Sequence, residues 1–151
     1  MTVRLRPTAP ADLDWVLDAE AHPENAPFVT QWTRGEHAAA LEHPEMRHLV
    51  IETVPDGRAV GYVILAGLAA PRHGIEVRRI VVTDKGRGYG RGTLRLIKTM
   101  ALRDLEASRL WLDVRSNNPK AKRLYEEEGF VVERTGADGL IILSIQGKDR
   151  A

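Results

Sequence analysis

Apolar residues recur along the chain with two spacings, and these divide it into predicted strands and helices. Alternating or continuous β-branched and aliphatic runs predict seven strands: 3–6, 47–54, 59–69, 75–83, 110–115, 131–133 and 140–145. Helical spacing predicts four helices: one with Leu13, Val16, Leu17 and Ala21 on its apolar face, then 34–42, 90–107, and one that begins near Pro119. Hairpin strands followed by a strand–helix–strand crossover predict a mixed sheet, antiparallel first and parallel later, with helices on both faces.

The segment from Ile75 to Leu105 has the most informative pattern. A β-branched strand leads through Asp84 and Lys85 into glycines at every second position. These are Gly86, Gly88, Gly90 and Gly92. A helical face of Leu94, Ile97, Ala101 and Leu105 follows. A strand, a basic glycine-rich loop and a helix N-terminus together favour phosphate binding, because unpaired N–H groups and the helix dipole converge there.

The spacing of the glycines separates the kinds of phosphate loop. No Gly-Lys-Ser/Thr follows, so a Walker A loop is excluded, and no G-x-G-x-x-G can be placed. The loop instead fits R-x-x-G-x-G at Arg87, Gly90 and Gly92. A second motif, N-x-x-A-x-x-L-Y-x-x-x-G-F, is matched downstream by Asn118, Ala121, Leu124, Tyr125, Gly129 and Phe130. The two motifs, in this order and with a strand between them, resemble those of the GNAT family of N-acetyltransferases.

The resemblance implies an α/β (α+β) GNAT-type fold with antiparallel N-terminal strands and a splayed parallel pair. It implies acetyl-CoA as the cosubstrate, with its pyrophosphate on the loop and its pantetheine arm along the strand before the loop. The cofactor-binding residues would be Ile80, Val81, Val82, Arg87, Gly88, Tyr89, Gly90, Arg91, Gly92, Thr93, Asn118, Lys120 and Ala121. Arg87 or Arg91 would supply charge to the pyrophosphate. Asn118 is equally well explained as a helix cap.

The same resemblance assigns Tyr125 as the acid that protonates the leaving thiolate. The alternative for Tyr125 is a core aromatic residue whose hydroxyl is satisfied by the protein. No cysteine is present, so an acyl-cysteine intermediate is excluded and the amine would attack the thioester directly. The backbone N–H of Val81 or Val82 would then stabilise the oxyanion.

Glu76 is the predicted base that accepts the proton of the amine, because many family members place a carboxylate on this strand. Pairing of Glu76 with Arg78 or Arg79 is an equally good interpretation. Asp113 on the neighbouring strand is the second candidate and Glu52 the third. Members without a dedicated base use water instead.

Acceptor binding is predicted in the irregular segment between the first two helices. Phe28 and Trp32 would form an aromatic wall of the acceptor pocket, and the alternative is a plug that holds the segment onto the sheet. Among the histidines only His22 lies where it could meet an acceptor, and no histidine spacing suits a metal. The region near Trp32 also loosely resembles the branch that acetylates ribosomal-protein N-termini.

Composition narrows the class of protein further. At 151 residues one domain, 1–151, is expected, and a net charge of +1 gives no sign of nucleic-acid binding. No apolar run approaches the roughly 20 residues of a membrane span, and the first residues do not form a signal peptide, so a cytoplasmic protein is expected. An amine acceptor and a homodimer through the C-terminal strands or sheet edges are the predicted partners.

Two other functions fit parts of the pattern. A non-catalytic acyl-CoA-binding sensor would keep the loop but would turn over no thioester. A nucleotide-phosphate protein with an unusual loop is disfavoured by the missing Gly-Lys-Ser/Thr.

Overall fold

The structure is a computed structural model in which residues 2–147 are described. Its strands are β1 (Val3–Pro7), β2 (Met46–Thr53), β3 (Ala59–Ala66), β4 (Ile75–Val82), β5 (Arg109–Arg115), β6 (Val131–Thr135) and β7 (Leu140–Gln146). Its α-helices are α1 (Leu13–Ala21), α2 (Arg34–Glu42), α3 (Tyr89–Lys98) and α4 (Pro119–Glu127). Within the described residues, no helix is both long and apolar enough to cross a membrane.

The strands form one seven-stranded sheet in the order β1-β2-β3-β4-β5-β7-β6. Every neighbouring pair is antiparallel except β4 and β5, which run parallel. That parallel pair is joined only at Ile75 with Leu110 and at Glu76 with Trp111. Beyond Glu76 the two strands diverge, so the predicted mixed sheet with a splayed parallel pair is confirmed.

Helices cover both faces of the sheet, as the apolar central strands predict. On one face Leu94 and Ile97 of α3 and Tyr125 of α4 pack on Val63 and Leu110. The opposite face contacts α1, where Val16 and Ala19 pack against Tyr62, Ile64 and Val81. These two layers leave the gap between β4 and β5 open at the centre of the sheet.

The helix predicted over 90–107 is shorter than its apolar spacing suggests. After Lys98 the chain continues as a wider π-helical turn over Thr99–Asp104, in which the N–H of Leu105 donates to the carbonyl of Met100 at 2.9 Å. Ala101 is fully buried, whereas Leu105 packs on the core only in part. The widened turn therefore shifts the end of the predicted apolar face.

The predicted strand over 59–69 also ends early, at Ala66. Gly67 follows with a left-handed φ of +91°, and a Cβ there would lie 2.6 Å from the carbonyl oxygen of Gly74. This close approach of two backbone segments requires glycine and turns the chain out of the sheet. Ala21, predicted on the apolar face of α1, is exposed.

Candidate active site

The gap between β4 and β5 continues into a cavity of about 630 Å³. Its wall consists of the glycine loop, β4 from Val77 onward, the C-terminal half of β5, and one face of α4 as far as Glu127. Asn25, Phe28, Val29 and Thr30, from the segment between α1 and α2, close the opposite side. The splay that the parallel pairing leaves unfilled therefore opens into a concave site that connects both predicted motifs.

Three left-handed residues shape the glycine loop. Asp84 has φ +52°, Gly86 +86° and Gly88 +81°, and Gly88 is the N-cap of α3. The first bond that joins α3 to its N-cap runs from the N–H of Gly92 to the carbonyl of Gly88 at 3.0 Å. Among the described residues, no acceptor contacts the preceding N–H groups of residues 89–91. These free donors form an anion site at a helix N-terminus.

The outer part of the loop is open to an incoming ligand. A Cβ built on Gly86 or Gly88 would meet no atom within 4 Å. These two glycines are therefore required by their φ angles and not by lack of space. Gly90, in contrast, lies against Leu124, whose Cδ2 would be 3.4 Å from an added Cβ. Gly90 thus lets the start of α3 pack against α4 beside the cavity.

The two arginines that were predicted to bind the pyrophosphate are already paired with carboxylates. Arg87 donates to Asp84 at 3.0 Å. Arg91 donates to Glu127 and to Glu128, both at 2.6 Å. Both arginines line the cavity, but their charge is largely compensated where they lie.

Two lysines that form no ion pair within 4 Å among the described residues add positive charge to this cavity. Lys85 and Lys120 both line it. Burial lowers the pKa of Lys85, the nearby Glu24 opposes this effect, and the charge of Lys120 adds to it. Lys120 was predicted from its motif, whereas Lys85 was not. The signal for Lys85 was its position directly before the glycine loop.

A run of three glutamates, Glu126 to Glu128, is typical of a solvated helix face, but Glu128 is buried. The Glu128 side chain is 4% exposed and contacts Arg91, Arg95 and Lys98 of α3. Hydrogen bonds from Arg95 first, and then from Arg91 and Lys98, lower the pKa of Glu128 to about 2. This ion-pair cluster ties the helix that follows the glycine loop to the helix that carries Tyr125.

Three further predicted cofactor residues are placed differently by the helical turn of α3. The side chain of Tyr89 is buried against Val3 and Val60, and its hydroxyl contacts Arg58 at 3.3 Å, so only its backbone faces the loop. Gly92 and Thr93, also predicted to bind the cofactor, do not line the cavity. Thr93 is fully buried, and its hydroxyl has no partner among the described residues.

The predicted pantetheine strand does face the cavity. Ile80, Val81 and Val82 line it, together with Val77 at the start of the gap. On its other side this stretch pairs with β3 as far as Val82. Because β5 has diverged, the main-chain groups of β4 that point toward β5 beyond Glu76 have no strand partner. An extended ligand can therefore add to this edge.

Tyr125 projects from α4 into the cavity. Tyr125 is 8% exposed, and none of the described residues forms a hydrogen bond with its hydroxyl. Burial, and then the charge of Asp113, raise the pKa of Tyr125 to about 12. Tyr125 is thus a core aromatic residue, as the alternative interpretation has it, but its hydroxyl has no partner among the described residues. Asn118 lines the cavity and also caps α4, since its Oδ1 accepts from the N–H of Ala121 at 3.4 Å.

The three carboxylates proposed as bases occupy different places. Glu76 is bonded by Arg78 at 2.9 Å and lines a smaller cavity of about 300 Å³, which Arg78 separates from the large one. Asp113 lines the large cavity, and burial raises its pKa although Arg115 and Arg78 oppose this. Glu52 is held by Arg4 and Arg6 on β1, and it lines neither cavity.

The two aromatic residues predicted to bind the acceptor, Phe28 and Trp32, occupy different places in the structure. Phe28 lines the large cavity. Trp32 does not, because its ring lies under the guanidinium of Arg79, 4.4 Å from the ring centroid. The N–H of Trp32 donates to Glu20 at 3.1 Å. Trp32 therefore acts as the plug that was the alternative interpretation, and the exposed His22 does not line the cavity.

Behind this plug lies a buried polar cluster that the sequence did not reveal. Glu20 is 1% exposed, accepts from Tyr62, and pairs with Arg79 at 2.9 Å. His37 lies 3.1 Å from Glu20, and its Nδ1 is 3.1 Å from Nε2 of His48. Burial opposes ionisation of Glu20, but the bonds from His37 and Tyr62 hold its pKa below the usual range. The cluster fixes Arg79, which lines the cavity.

His37 and His48 are both buried. Burial lowers the pKa of His48 to about 4, so this imidazole is neutral at pH 7. Its Nδ1 lies 2.8 Å from the hydroxyl of Thr8. In the described part of the chain, no group of three or more His, Cys, Asp or Glu side chains is arranged to hold a metal ion.

Comparisons with known proteins agree with this geometry. The family model described as acetyltransferase (GNAT) domain matches residues 2–131. A Bacillus subtilis protein named "putative ribosomal protein bS18-alanine N-acetyltransferase" is 30% identical over 121 residues, covering 79% of this chain and 74% of that protein. An uncharacterized N-acetyltransferase of Mycobacterium tuberculosis is 29% identical over 90 residues, or 59% of this chain and 56% of that protein.

Solved structures share the fold at lower identity. The spermidine N-acetyltransferase from Vibrio cholerae, in complex with CoA and spermine, superposes with a TM-score of 0.82 at 20% identity, covering 96% of this chain and 95% of that one. A domain from Methanocaldococcus jannaschii superposes with a TM-score of 0.81 at 18% identity, covering 96% and 98%. At such identities the likeness shows the fold alone.

Proposed function

Because the chain belongs to the GNAT family of acetyl-CoA-dependent N-acetyltransferases, we propose that its large cavity binds acetyl-CoA and that the acetyl group passes directly to a primary amine. The acceptor is an amine of a small molecule or of a protein. The observation that carries this proposal is the Tyr125 hydroxyl, which faces the cavity and lacks a protein partner among the described residues.

The glycine loop supports pyrophosphate binding chiefly through its backbone. The free N–H groups of residues 89–91 and the dipole of α3 favour a negatively charged group at this point. Lys85 and Lys120 add positive charge at the cavity. The guanidinium groups of Arg87 and Arg91 are less available, because they already bind carboxylates. We therefore assign binding of the cofactor pyrophosphate to main-chain N–H donors and lysines. The two arginines instead stabilise the conformation of the glycine loop.

The unpaired edge of β4 supports the positioning of the pantetheine arm. An extended amide chain that lies along Ile80 to Val82 would take up the main-chain groups that β5 leaves free. The backbone N–H of Val81 or Val82 then stabilises the oxyanion, a contribution of about 3 kcal/mol for one well-placed donor. No substitution other than proline removes this donor.

Acetyl transfer needs a neutral amine, a stabilised oxyanion and a stabilised leaving thiolate. The nitrogen lone pair attacks the carbonyl carbon, the amine loses a proton, and the C–S bond breaks. Glu76 accepts that proton through water in the proposed scheme, after its bond to Arg78 loosens. Asp113 is the alternative base, because it lies in the large cavity itself.

Tyr125 acts on the departing sulfur. With a pKa of about 12 the phenol is protonated at neutral pH. A thiol has a pKa of about 8.5, so complete proton transfer from the phenol to the thiolate is uphill. Tyr125 therefore stabilises the thiolate mainly as a hydrogen-bond donor, and the proton follows from solvent.

Substitution of Tyr125 tests this function. We expect Tyr125→Phe to lower kcat by about a hundredfold while the Kd for acetyl-CoA changes less than about twofold. Tyr89→Phe is the matched control, because it also removes a phenol near α3 but one that faces away from the cavity. Release of free thiol with an amine panel gives kcat, and calorimetry gives Kd. Equal losses in kcat and affinity would show that the Tyr125 hydroxyl is structural.

Two acceptor classes come from the relatives. The Bacillus subtilis protein is named for a ribosomal-protein alanine, and the Vibrio cholerae protein for spermidine.

We propose a cytoplasmic homodimer that pairs through the edge strand β6. On this strand the side chains of Val131 and Val132 are 68% and 37% exposed. Structures of the Vibrio cholerae protein include a dodecamer, which supports assembly in this fold.

A further inference from the structure

The charges on β4 and β5 suggest which kind of amine the cavity accepts. Three arginines of these strands line the cavity: Arg78, Arg79 and Arg115. Arg78 is paired with Glu76 and Arg79 with Glu20, both at 2.9 Å. Within the described residues, Arg115 has no carboxylate within 4 Å. Its guanidinium donates a hydrogen bond to the hydroxyl of Thr30 at 3.0 Å. Arg115 is therefore available to an anionic ligand.

The carboxylates of the cavity show the complementary pattern. Asp84 is held by Arg87, and Glu127 is held by Arg91. Asp113 also lines the cavity, and among the described residues no ion-pair partner lies within 4 Å of it. The charges of Arg115 and Arg78 nevertheless act on it, as does desolvation, which raises its pKa.

Asp113 and Arg115 lie on the same face of β5. Two positions apart on a strand, their side chains start about 7 Å from each other and point the same way. Leu112 and Val114 point to the opposite face, where they belong to the core and also border the cavity. Asp113 and Tyr125 line the same cavity, and the charge of Asp113 contributes to the raised pKa of Tyr125.

We propose that Asp113 and Arg115 form a two-point acceptor site, in which Asp113 holds the amine and Arg115 holds a carboxylate of the same molecule. The acceptor class is an amine with a carboxylate within about 7 Å of the reacting nitrogen, as in an amino acid. A guanidinium suits a carboxylate because it can donate two parallel hydrogen bonds. This inference rests on the proposed acetyl transfer and specifies its acceptor.

A polyamine fits the same surface poorly. Its second and third cationic nitrogens would need further free carboxylates, and the other carboxylates of the large cavity are already paired with arginines. Placed along β5, such a cation would meet Arg115 instead, and like charges in contact are unfavourable. The shared fold with the spermidine enzyme therefore does not extend to its acceptor chemistry in this proposal.

Pairs of acceptors that differ by one carboxylate test the inference. Lysine with cadaverine, β-alanine with ethylamine, and glycine with methylamine are compared with spermidine under saturating acetyl-CoA. We expect the carboxylated member to have a kcat/KM at least about tenfold higher, and spermidine to rank with the decarboxylated amines. Arg115→Gln should bring the ratio within each pair close to one by raising the KM of the carboxylated member, while Arg115→Lys keeps part of the preference.

The control is Arg134→Gln, an exposed arginine of β6 that lines neither cavity. The rate with cadaverine or ethylamine shows that the Arg115→Gln protein is folded and active. Higher kcat/KM for spermidine or for the decarboxylated amines would overturn the inference, as would an unchanged ratio in Arg115→Gln. A rise in the KM for acetyl-CoA that is equal for all acceptors would place Arg115 on the cofactor and overturn it too. Acetylation of other amines alone would refute this acceptor class but not acetyl transfer.

Discussion

Replacing Glu128 by glutamine tests whether the cluster that joins α3 to α4 stabilises the fold. The carboxylate is 4% exposed and accepts from Arg91 at 2.6 Å and Arg95 at 3.0 Å, with Lys98 at 3.3 Å. Glutamine keeps the shape of the side chain and one acceptor oxygen, but it removes the negative charge. Three cations would then face each other, and among the described residues Glu127 is the one carboxylate that still pairs with them.

The size of the effect follows from the pKa of Glu128. A decrease from the ordinary value of 4.5 to about 2 corresponds to at most about 3.4 kcal/mol. Because Arg91 and Arg95 are 37% and 65% exposed, water screens part of this interaction. We therefore expect Glu128→Gln to lower the free energy of unfolding by about 2 kcal/mol at pH 7.

The sign of the pH dependence is set by the direction of the pKa change. A carboxylate whose pKa is lower in the folded state contributes its full stabilisation above pH 4.5, the unfolded value. That contribution is lost as the pH falls through about 2. Other acids with lowered pKa, such as Glu133 beside Arg109, weaken wild type and variant alike, so their effects cancel in the difference.

Urea unfolding followed by circular dichroism at pH 7, 5 and 3 measures this difference. We expect the gap between wild type and Glu128→Gln to be constant from pH 7 to 5 and to narrow at pH 3. Glu127→Gln is the matched control, because its carboxylate is 51% exposed and should contribute less than about 1 kcal/mol. A gap that does not change with pH, or equal losses in both variants, would refute the electrostatic explanation.

Three further predictions concern the loop and the buried cluster. Gly88→Ala should cost about 1 to 2 kcal/mol of stability and weaken acetyl-CoA binding in calorimetry, because φ is +81° there; Gly35→Ala, at an exposed position of α2, should be neutral or stabilising. Lys85→Ala should raise the Kd for acetyl-CoA about tenfold with little effect on the melting temperature; an unchanged Kd would place the phosphates elsewhere. Glu20→Gln should lower the free energy of unfolding by about 3 kcal/mol, since Arg79 then lacks its buried counter-charge; a loss below about 1 kcal/mol in urea unfolding would contradict this role.

Local patterns predicted the sheet and the loop well. Alternation of apolar residues along single segments marks strands, and glycine marks left-handed backbone, so both signals lie within a few residues. Leu94 and Ile97 are fully buried as their spacing predicts, and Gly88 has the positive φ that a loop before a helix requires. The splayed pair could be expected only from the family motifs, because strand divergence leaves no local signature.

Contacts between distant segments account for most of the features that the sequence did not predict. Glu128 lies in a run of three glutamates that resembles a solvated face, and its burial depends on Arg91, 37 residues earlier. His37 and His48 are brought together by the packing of α2 on β2, although each has polar neighbours in sequence. Thr93 was assigned to the cofactor from its place after the glycines, but the turn of α3 directs it inward.

A crystal structure of the protein in complex with acetyl-CoA is the most direct test of the proposed site. We predict that the pyrophosphate oxygens accept hydrogen bonds from the N–H groups of residues 89–91, with Lys85 and Lys120 beside them. The thioester sulfur should lie within hydrogen-bond distance of the Tyr125 hydroxyl, in the gap between β4 and β5. A complex in which the coenzyme leaves the glycine loop empty, or in which its sulfur lies far from Tyr125, would contradict the central assignment.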